Sequence, residues 1–344
     1  MASEIITMHK EYVIQNSNGM KATFSNFGAR LVELLVYDRV GNLSNVVLGF
    51  DTHEEYVEKV NVYLGATIGR VAGRIPDSKF RAQGLDIDLI GNEKDNHLHG
   101  GKESALDRVF WSGKVMKSED SQSVLFKYVS PSGEAGYPGE LSIEVTYTLT
   151  NQNQLIISYR ASATSKTPVN LTNHTYWNLH DAGATDILNH QLRINSDQII
   201  NMDAQLLPIG GYSTGSELGM DFLTLRPIAQ ALPKSSTEPW PGIDNTFIFS
   251  DKENGSLTEA ATLYDPTSGR KMSITTTESS LQVYTANRMG NLKGRNRVTY
   301  SQGNSICLEA QRVVDSHLLP ELPTIVLMPD EEYVQQTIHT FSIE

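Results

Sequence analysis

The chain is 344 residues long, with 28 basic and 40 acidic side chains and a net charge of -12. That balance argues against a general nucleic-acid surface, which needs basic patches to displace counterions. It also disfavours a polyanionic substrate, unless a local cluster such as Arg70 with Arg74 overrides the net charge. The single cysteine, Cys307, rules out an internal disulfide and a cysteine-based zinc cluster. The start, MASEIITMHKEYV, has no apolar run of signal-peptide length, and no stretch approaches the roughly 20 apolar residues that span a bilayer. The expectation is a soluble protein of a reducing, cytoplasmic compartment.

Taken in chain order, alternation of apolar and polar residues dominates. It predicts strands over residues 30–37 and 45–50. Thr52, followed three residues later by Glu55, forms a capping-box pattern before one short helix. Residues 65–75 are glycine-rich but lack the G-x-G-x-x-G order of a dinucleotide fold; a G-x-S-x-G elbow and a P-loop are also absent. Further strand-like runs fall at 80–90 and 123–130. From Leu141 to Leu149 every odd position is apolar and every even one polar, the mark of a half-buried strand. Asn151, Gln152 and Asn153 then turn the chain into a returning run at 154–159, a hairpin. Later runs fall at 169–178, 271–276, 281–286, 305–311 and 324–328, and residues 209–215 are expected to form a surface loop. Many strands in succession with few helices imply an all-β fold, an antiparallel sandwich or barrel. No composition break divides the chain, so residues 1–344 are expected to form one domain.

Three segments carry polar residues that are expensive to bury. In the first, Asn96-His97-Leu98-His99-Gly100-Gly101, an extended backbone puts His97 and His99 on one face. The pair offers itself to a metal, but with Asp95 and Glu103 it matches no recognised ligand spacing. The glycine pair allows backbone or a ligand to approach closely. In the second segment, a continuous strand aligns Asn170, Thr172, His174, Tyr176 and Asn178. Hydroxyl, imidazole, phenol and amide on one face suit a sugar; the competing reading is a solvated outer face. In the third, Glu309 follows a short apolar run. A carboxylate buried there has a raised pKa suited to a general base, whereas a strand-end glutamate in water does not. Arg70 and Arg74 are suited either to a carboxylate, a phosphate or sugar hydroxyls, or to structural ion pairs.

These segments, in this order, resemble the aldose 1-epimerase (galactose mutarotase) family over nearly the whole chain. The series runs from residues 65–75 through Leu98-His99-Gly100-Gly101, Gly136-Tyr137-Pro138-Gly139 and residues 170–179. It continues through Gly242-Ile243-Asp244-Asn245 and residues 282–287 and 306–311, and ends at Leu327-Met328-Pro329-Asp330-Glu331-Glu332-Tyr333. The resemblance implies a large antiparallel β-sandwich of the mutarotase type. It implies Glu309 as catalytic base, His174 as catalytic acid, His99 as a second histidine on the sugar, and Arg74, Asp244 and Gln282 as residues that hold sugar hydroxyls. Where many relatives have Asn before the arginine, this chain has Gly73, which removes one hydrogen bond to substrate. Ala310 follows the glutamate in place of Pro or Thr, and Asp330 stands where Gly is usual.

The implied reaction interconverts α and β anomers of a free hexose such as glucose or galactose. Glu309 takes the proton of O1 and His174 protonates O5. The ring then opens, C1–C2 rotates and the ring re-closes. No redox step or group transfer occurs, so neither cofactor nor metal is needed, and the expected partner is a small aldose rather than nucleic acid or membrane. The alternatives are a hexose-6-phosphate mutarotase, which needs an added basic pocket not evident in the sequence; a sugar-binding protein without catalysis on the same fold; and a metal enzyme built on His97 and His99.

Overall fold

The computed structural model describes residues 8–232, 242–249, 255–314 and 319–344. The first seven residues of the opening segment lie outside them. Two antiparallel sheets enclose the core. The larger has nine strands, in the order Ser112–Lys117, Ser121–Ser130, Leu141–Thr150, Gln154–Ala163, Tyr333–Ile343, Arg270–Thr276, Thr258–Tyr264, Gln191–Ile194 and Arg226–Pro227. The smaller has six: Tyr176–Trp177, Ile306–Gln311, Ser280–Tyr284, Asp244–Ile248, Gln198–Met202 and Pro208–Thr214. A separate four-stranded sheet begins with Glu11–Gln15 and Lys21–Ser25. Two short helices, His53–Glu58 and Gly215–Leu218, are the α-helical elements among the described residues.

The alternation does what period-two patterning dictates. In Leu141–Thr150 the odd residues Leu141, Ile143, Val145, Tyr147 and Leu149 are buried. They stand beside Leu155, Ile157 and Tyr159 of the paired returning strand, on the same face of the sheet, in one apolar core. Asn153, with φ of 59°, makes the turn between them; asparagine tolerates the left-handed region better than most residues. From the smaller sheet, Leu281, Val283, Ile306 and Leu308 enter the same core. Burying each such side chain contributes about 1.5–3 kcal/mol. The helix at His53–Glu58 has the full capping box, with Thr52 accepting from the Glu55 amide and the Glu55 carboxylate accepting from the Thr52 amide.

Several expectations change. The run at 169–178 is not one strand. It consists of two dipeptides, Thr172–Asn173 paired with Thr67–Ile68, and Tyr176–Trp177 paired with Ile306 and Cys307. The chain changes partners at His174, whose own amide and carbonyl pair with Ala66 and Gly65. Neither face is solvated: apart from the half-buried Asn173, every residue from Thr167 to Leu179 is buried. Residues 80–90 fold back on themselves as Lys79–Ala82 and Leu85–Asp88, because Gln83 and Gly84 both take positive φ and make a tight turn. Of 45–50 only Asn45 lies in a strand, Leu43–Asn45; of 324–328 only Val326–Leu327 does. Residues 209–215 are not a loop. They continue the edge strand Pro208–Thr214 into a helix that Thr214 caps.

Candidate active site

The strand Ile306–Gln311 is buried on both faces. Ile306, Leu308 and Ala310 point into the apolar core, so Cys307, Glu309 and Gln311 point the other way. Antiparallel register carries that face across the sheet: Glu309 pairs with Gln282, which pairs with Thr246, while Cys307 pairs with Tyr284, which pairs with Asp244. Glu309, Gln282, Thr246, Tyr284 and Asp244 of these two rungs thus form the floor of a cavity of about 520 Å³. Its walls include Tyr63, Gly73, Arg74, His99, His174 and Tyr176 on one side and Ile200, Met202, Pro208, Val313 and Val314 on another. All six predicted site residues, Glu309, His174, His99, Arg74, Asp244 and Gln282, line this one cavity.

Nε2 of His174 lies 3.7 Å from Oε1 of Glu309, with both side chains almost fully buried. Nδ1 of the same ring lies 3.5 Å from the Cys307 thiol. Tyr63, Tyr176 and His99 surround the imidazole, with ring centroids 5.5, 4.9 and 5.6 Å away. Burial pushes the Glu309 carboxyl up to about 8, and nearby Asp244 adds to this while Arg74 opposes it. Burial pushes His174 down to about 4. Each group therefore favours its neutral form, and near pH 7 the pair holds one proton. Oε2 of Glu309 is buried without a hydrogen-bond partner.

The remaining residues are fixed by the protein itself. His99 has φ of 53°, and its Nδ1 accepts the Gly73 amide at 3.2 Å. Its proton is therefore on Nε2, and burial pushes its pKa well down. Gly100 allows this turn, since a Cβ there would lie 1.7 Å from the carbonyl oxygen of Gly69; the close approach is backbone to backbone. Nε2 of Gln282 donates to Asp244 at 2.8 Å, and its Oε1 accepts from the Thr246 hydroxyl. Burial pushes the Asp244 pKa up, with Arg74 first among the groups opposing the rise. Arg74 is bound through two nitrogens to Glu93, at 2.6 and 3.0 Å, and Glu93 also holds Arg288 at 2.9 Å.

Other candidates fall away from the site. Asn170, Thr172 and Asn178 spend their side chains on backbone carbonyls of Ala72, Arg312, Ala310, Thr185 and Asn304. Arg70 is structural: its guanidinium donates to the Ser130 hydroxyl and to the carbonyls of Ser130, Pro131, Pro138 and Gly139. His97 does not share a face with His99, because the chain turns between them. Its ring nitrogens are engaged by the Ile90 carbonyl and the Tyr137 hydroxyl, each at 2.7 Å. Donor atoms of His174, Cys307 and Glu309 do lie within 4.8 Å of one another. Burial pushes the Cys307 pKa well up, however, which favours the thiol over the metal-binding thiolate. The basic cluster not evident in the sequence is assembled by the fold, since Lys102, Arg108 and Arg288 join Arg74 at the cavity. Glu93 pairs with two of these arginines, and Asp107 lies 3.6 Å from Arg108.

Tyr63, Glu93, Arg288, Tyr284 and Gln311 went unnoticed as cavity residues. Tyr284 and Gln311 had a signal, since each lies two residues beyond a recognised one on the same strand face. Tyr63, Glu93 and Arg288 come from loops, where no period connects them to the site.

A cavity on one face of a β-sandwich, lined by a buried carboxyl–imidazole pair, is the arrangement of an acid–base enzyme. The sequence profile of the aldose 1-epimerase family matches residues 10–340, and the chain belongs to that family. It is 37% identical to galactose mutarotase of Rattus norvegicus over 95% of this chain and 92% of that protein. It is 32% identical to aldose 1-epimerase of Escherichia coli, covering 96% and 94%. A solved aldose epimerase homologue from C. elegans superposes with a TM-score of 0.87 at 30% identity, covering 97% of this chain and 99% of that one. No helix among the described residues is long and apolar enough to cross a membrane.

Proposed function

We propose that this chain is a cofactor-free mutarotase that interconverts the α and β anomers of a free hexose such as glucose or galactose. The observation that carries this reading is the buried Glu309–His174 pair, 3.7 Å apart, on the floor of a cavity of about 520 Å³. Family membership supports the same reaction.

The proton inventory suits it. Ring opening moves a proton off O1 and puts one on O5, with no net change. A pair that holds one proton between a carboxyl and an imidazole can supply both transfers. Glu309, as carboxylate, takes the O1 proton; His174, as imidazolium, gives one to O5; on closure the roles reverse. Burial disfavours that charged arrangement in the protein alone. Hydrogen bonds from sugar hydroxyls to Glu309, together with the field of Arg74, favour it once substrate is bound. Each proton transfer of this kind contributes about 10²–10⁴ in rate. His99, donating from Nε2, and Arg74, Asp244 and Gln282 hold hydroxyls away from C1 and leave C1–C2 free to rotate. A cytoplasmic setting belongs to the same reading.

Free sugars are favoured over sugar phosphates because Glu93 lies between Arg74 and Arg288, offsetting the charge a phosphate would need. Polarimetry on freshly dissolved α-D-galactose and α-D-glucose, in chelator, tests the reading, with hexose 6-phosphates as competitors. Faster approach to the same final rotation is expected. No acceleration by folded protein, or strong competition by the phosphates, would contradict it.

A further inference from the structure

We propose that Gln311 is a further sugar-binding residue, its carboxamide holding an exocyclic hydroxyl of the aldose at the cavity wall beside Gly73. This rests on the reading above and adds a residue to it.

Gln311 follows Glu309 by two residues on the same strand face, about 6–7 Å along at the rise of an extended chain. It is 6% exposed and lines the cavity, and its Oε1 is buried with no hydrogen-bond partner. A buried carbonyl oxygen costs stability unless something donates to it. The neighbouring donors are committed elsewhere. The Ser280 hydroxyl goes to the backbone oxygen of Gln311, the Gln335 amide to the backbone oxygen of Ala310, and the Gly73 amide to His99. The surroundings are apolar: Val313 and Val314 follow on the chain, and Ile248 lies across from Ser280 in the next strand. An apolar residue would fill that place without an unpaired oxygen. A carboxamide instead presents an acceptor and donors together, which is what a hydroxyl needs.

Gly73 lets Val314 and Gln311 pack close to the backbone. Its φ is +91°, and a Cβ there would stand 2.9 Å from Cγ2 of Val314 and 3.8 Å from Nε2 of Gln311. A side chain at position 73 would therefore reach the Gln311 amide and take the place of a substrate group.

The test compares wild type with Gln311→Met, which keeps the volume and removes the polar atoms. Each is assayed for mutarotation of galactose, glucose and their monodeoxy analogues, and for binding of the same sugars by calorimetry. The expected result is a roughly tenfold rise in KM and Kd with kcat within about twofold, the increment expected for one hydrogen bond. That penalty should vanish for the one deoxy sugar that lacks the hydroxyl held by Gln311. Gln311→Leu, which also removes the polar atoms, should show the same loss and serves if the methionine variant folds poorly. Unchanged KM and Kd, or the same penalty for every deoxy sugar, would overturn the assignment. If wild type binds sugar in a Gln311-dependent way but does not accelerate anomer exchange, the catalytic reading fails and the binding role of Gln311 stands.

Discussion

His174 presents Nε2 to the Glu309 carboxylate at 3.7 Å while its other nitrogen faces the Cys307 thiol. Two groups of opposite proton affinity are thus held together in a site where burial pushes both toward the neutral form.

The first consequence is a pH profile. Below about 4 both members are protonated and no base remains; above about 8 both have lost their protons and no acid remains. The protein-dependent rate should therefore be flat between these limits and fall on either side. The two apparent constants belong to the pair rather than to either residue. Rates corrected for spontaneous mutarotation, measured from pH 3.5 to 9.5, test this. A rate that rises steadily through pH 8 would mean that Glu309 is not the group whose proton matters.

The residues alone made legible the alternation and three polar segments, whereas the six site residues and their roles were legible through the resemblance to the aldose 1-epimerase family. Alternation marked a strand at 305–311 with Glu309 after a short apolar run, and in the structure Ile306, Leu308 and Ala310 enter the core while Glu309 lies opposite. The same logic misread residues 169–178, because His174 stands where the chain leaves one partner strand for another and the segment is buried on every side. Tyr63, Glu93 and Arg288 were invisible because loop residues come together only through tertiary closure. The role of Arg70 could not be told from that of Arg74, since nothing local distinguishes a guanidinium that holds carbonyls from one that faces a cavity.

That distinction gives a second prediction. Arg70→Lys leaves several buried carbonyls without donors, each costing about 1–3 kcal/mol, and replaces a planar fork that lysine does not reproduce. The melting temperature should fall while KM of the protein that remains folded changes little. Arg74→Lys should do the reverse, raising KM with a small effect on melting. Thermal denaturation and steady-state kinetics on both variants decide it; a raised KM with unchanged melting for Arg70→Lys would reverse the assignment.

Glu93 should act through Arg74. Glu93→Gln weakens both contacts to Arg74 and the link to Arg288. A hydrogen bond to a charged group contributes about 1.5–3 kcal/mol, so KM should rise by about tenfold or more, with kcat less affected. Affinity for hexose 6-phosphates should increase, because two arginines lose their neutralising partner. Inhibition constants for these phosphates in wild type and variant provide the measurement, and equal values would contradict the role given to Glu93.

Buried histidines outside the site should shape acid stability. His190, whose Nε2 accepts the Leu179 amide at 3.0 Å, is pushed down to about 4 by burial. Unfolded histidine titrates near 6.5, so between these values the unfolded chain binds more protons and stability falls as pH falls. Asp107, raised to about 6, and Glu309, raised to about 8, act in the opposite sense. The informative quantity is therefore the difference between wild type and His190→Gln, which keeps an acceptor without titrating. Urea midpoints should show wild type losing stability relative to the variant from about pH 6.5 to 4. A pH-independent difference would show that His190 is not titrating on unfolding.

The most direct test of the acid–base pair is exchange NMR on an equilibrium mixture of galactose anomers, following magnetisation transfer between the α and β H1 signals. Wild-type protein should speed that transfer, and Glu309→Gln, folded by circular dichroism, should slow the catalysed rate by about 10²–10⁴, as should His174→Asn. Near-wild-type exchange in folded Glu309→Gln would contradict the account, because the ring would then open without the carboxylate assigned to O1.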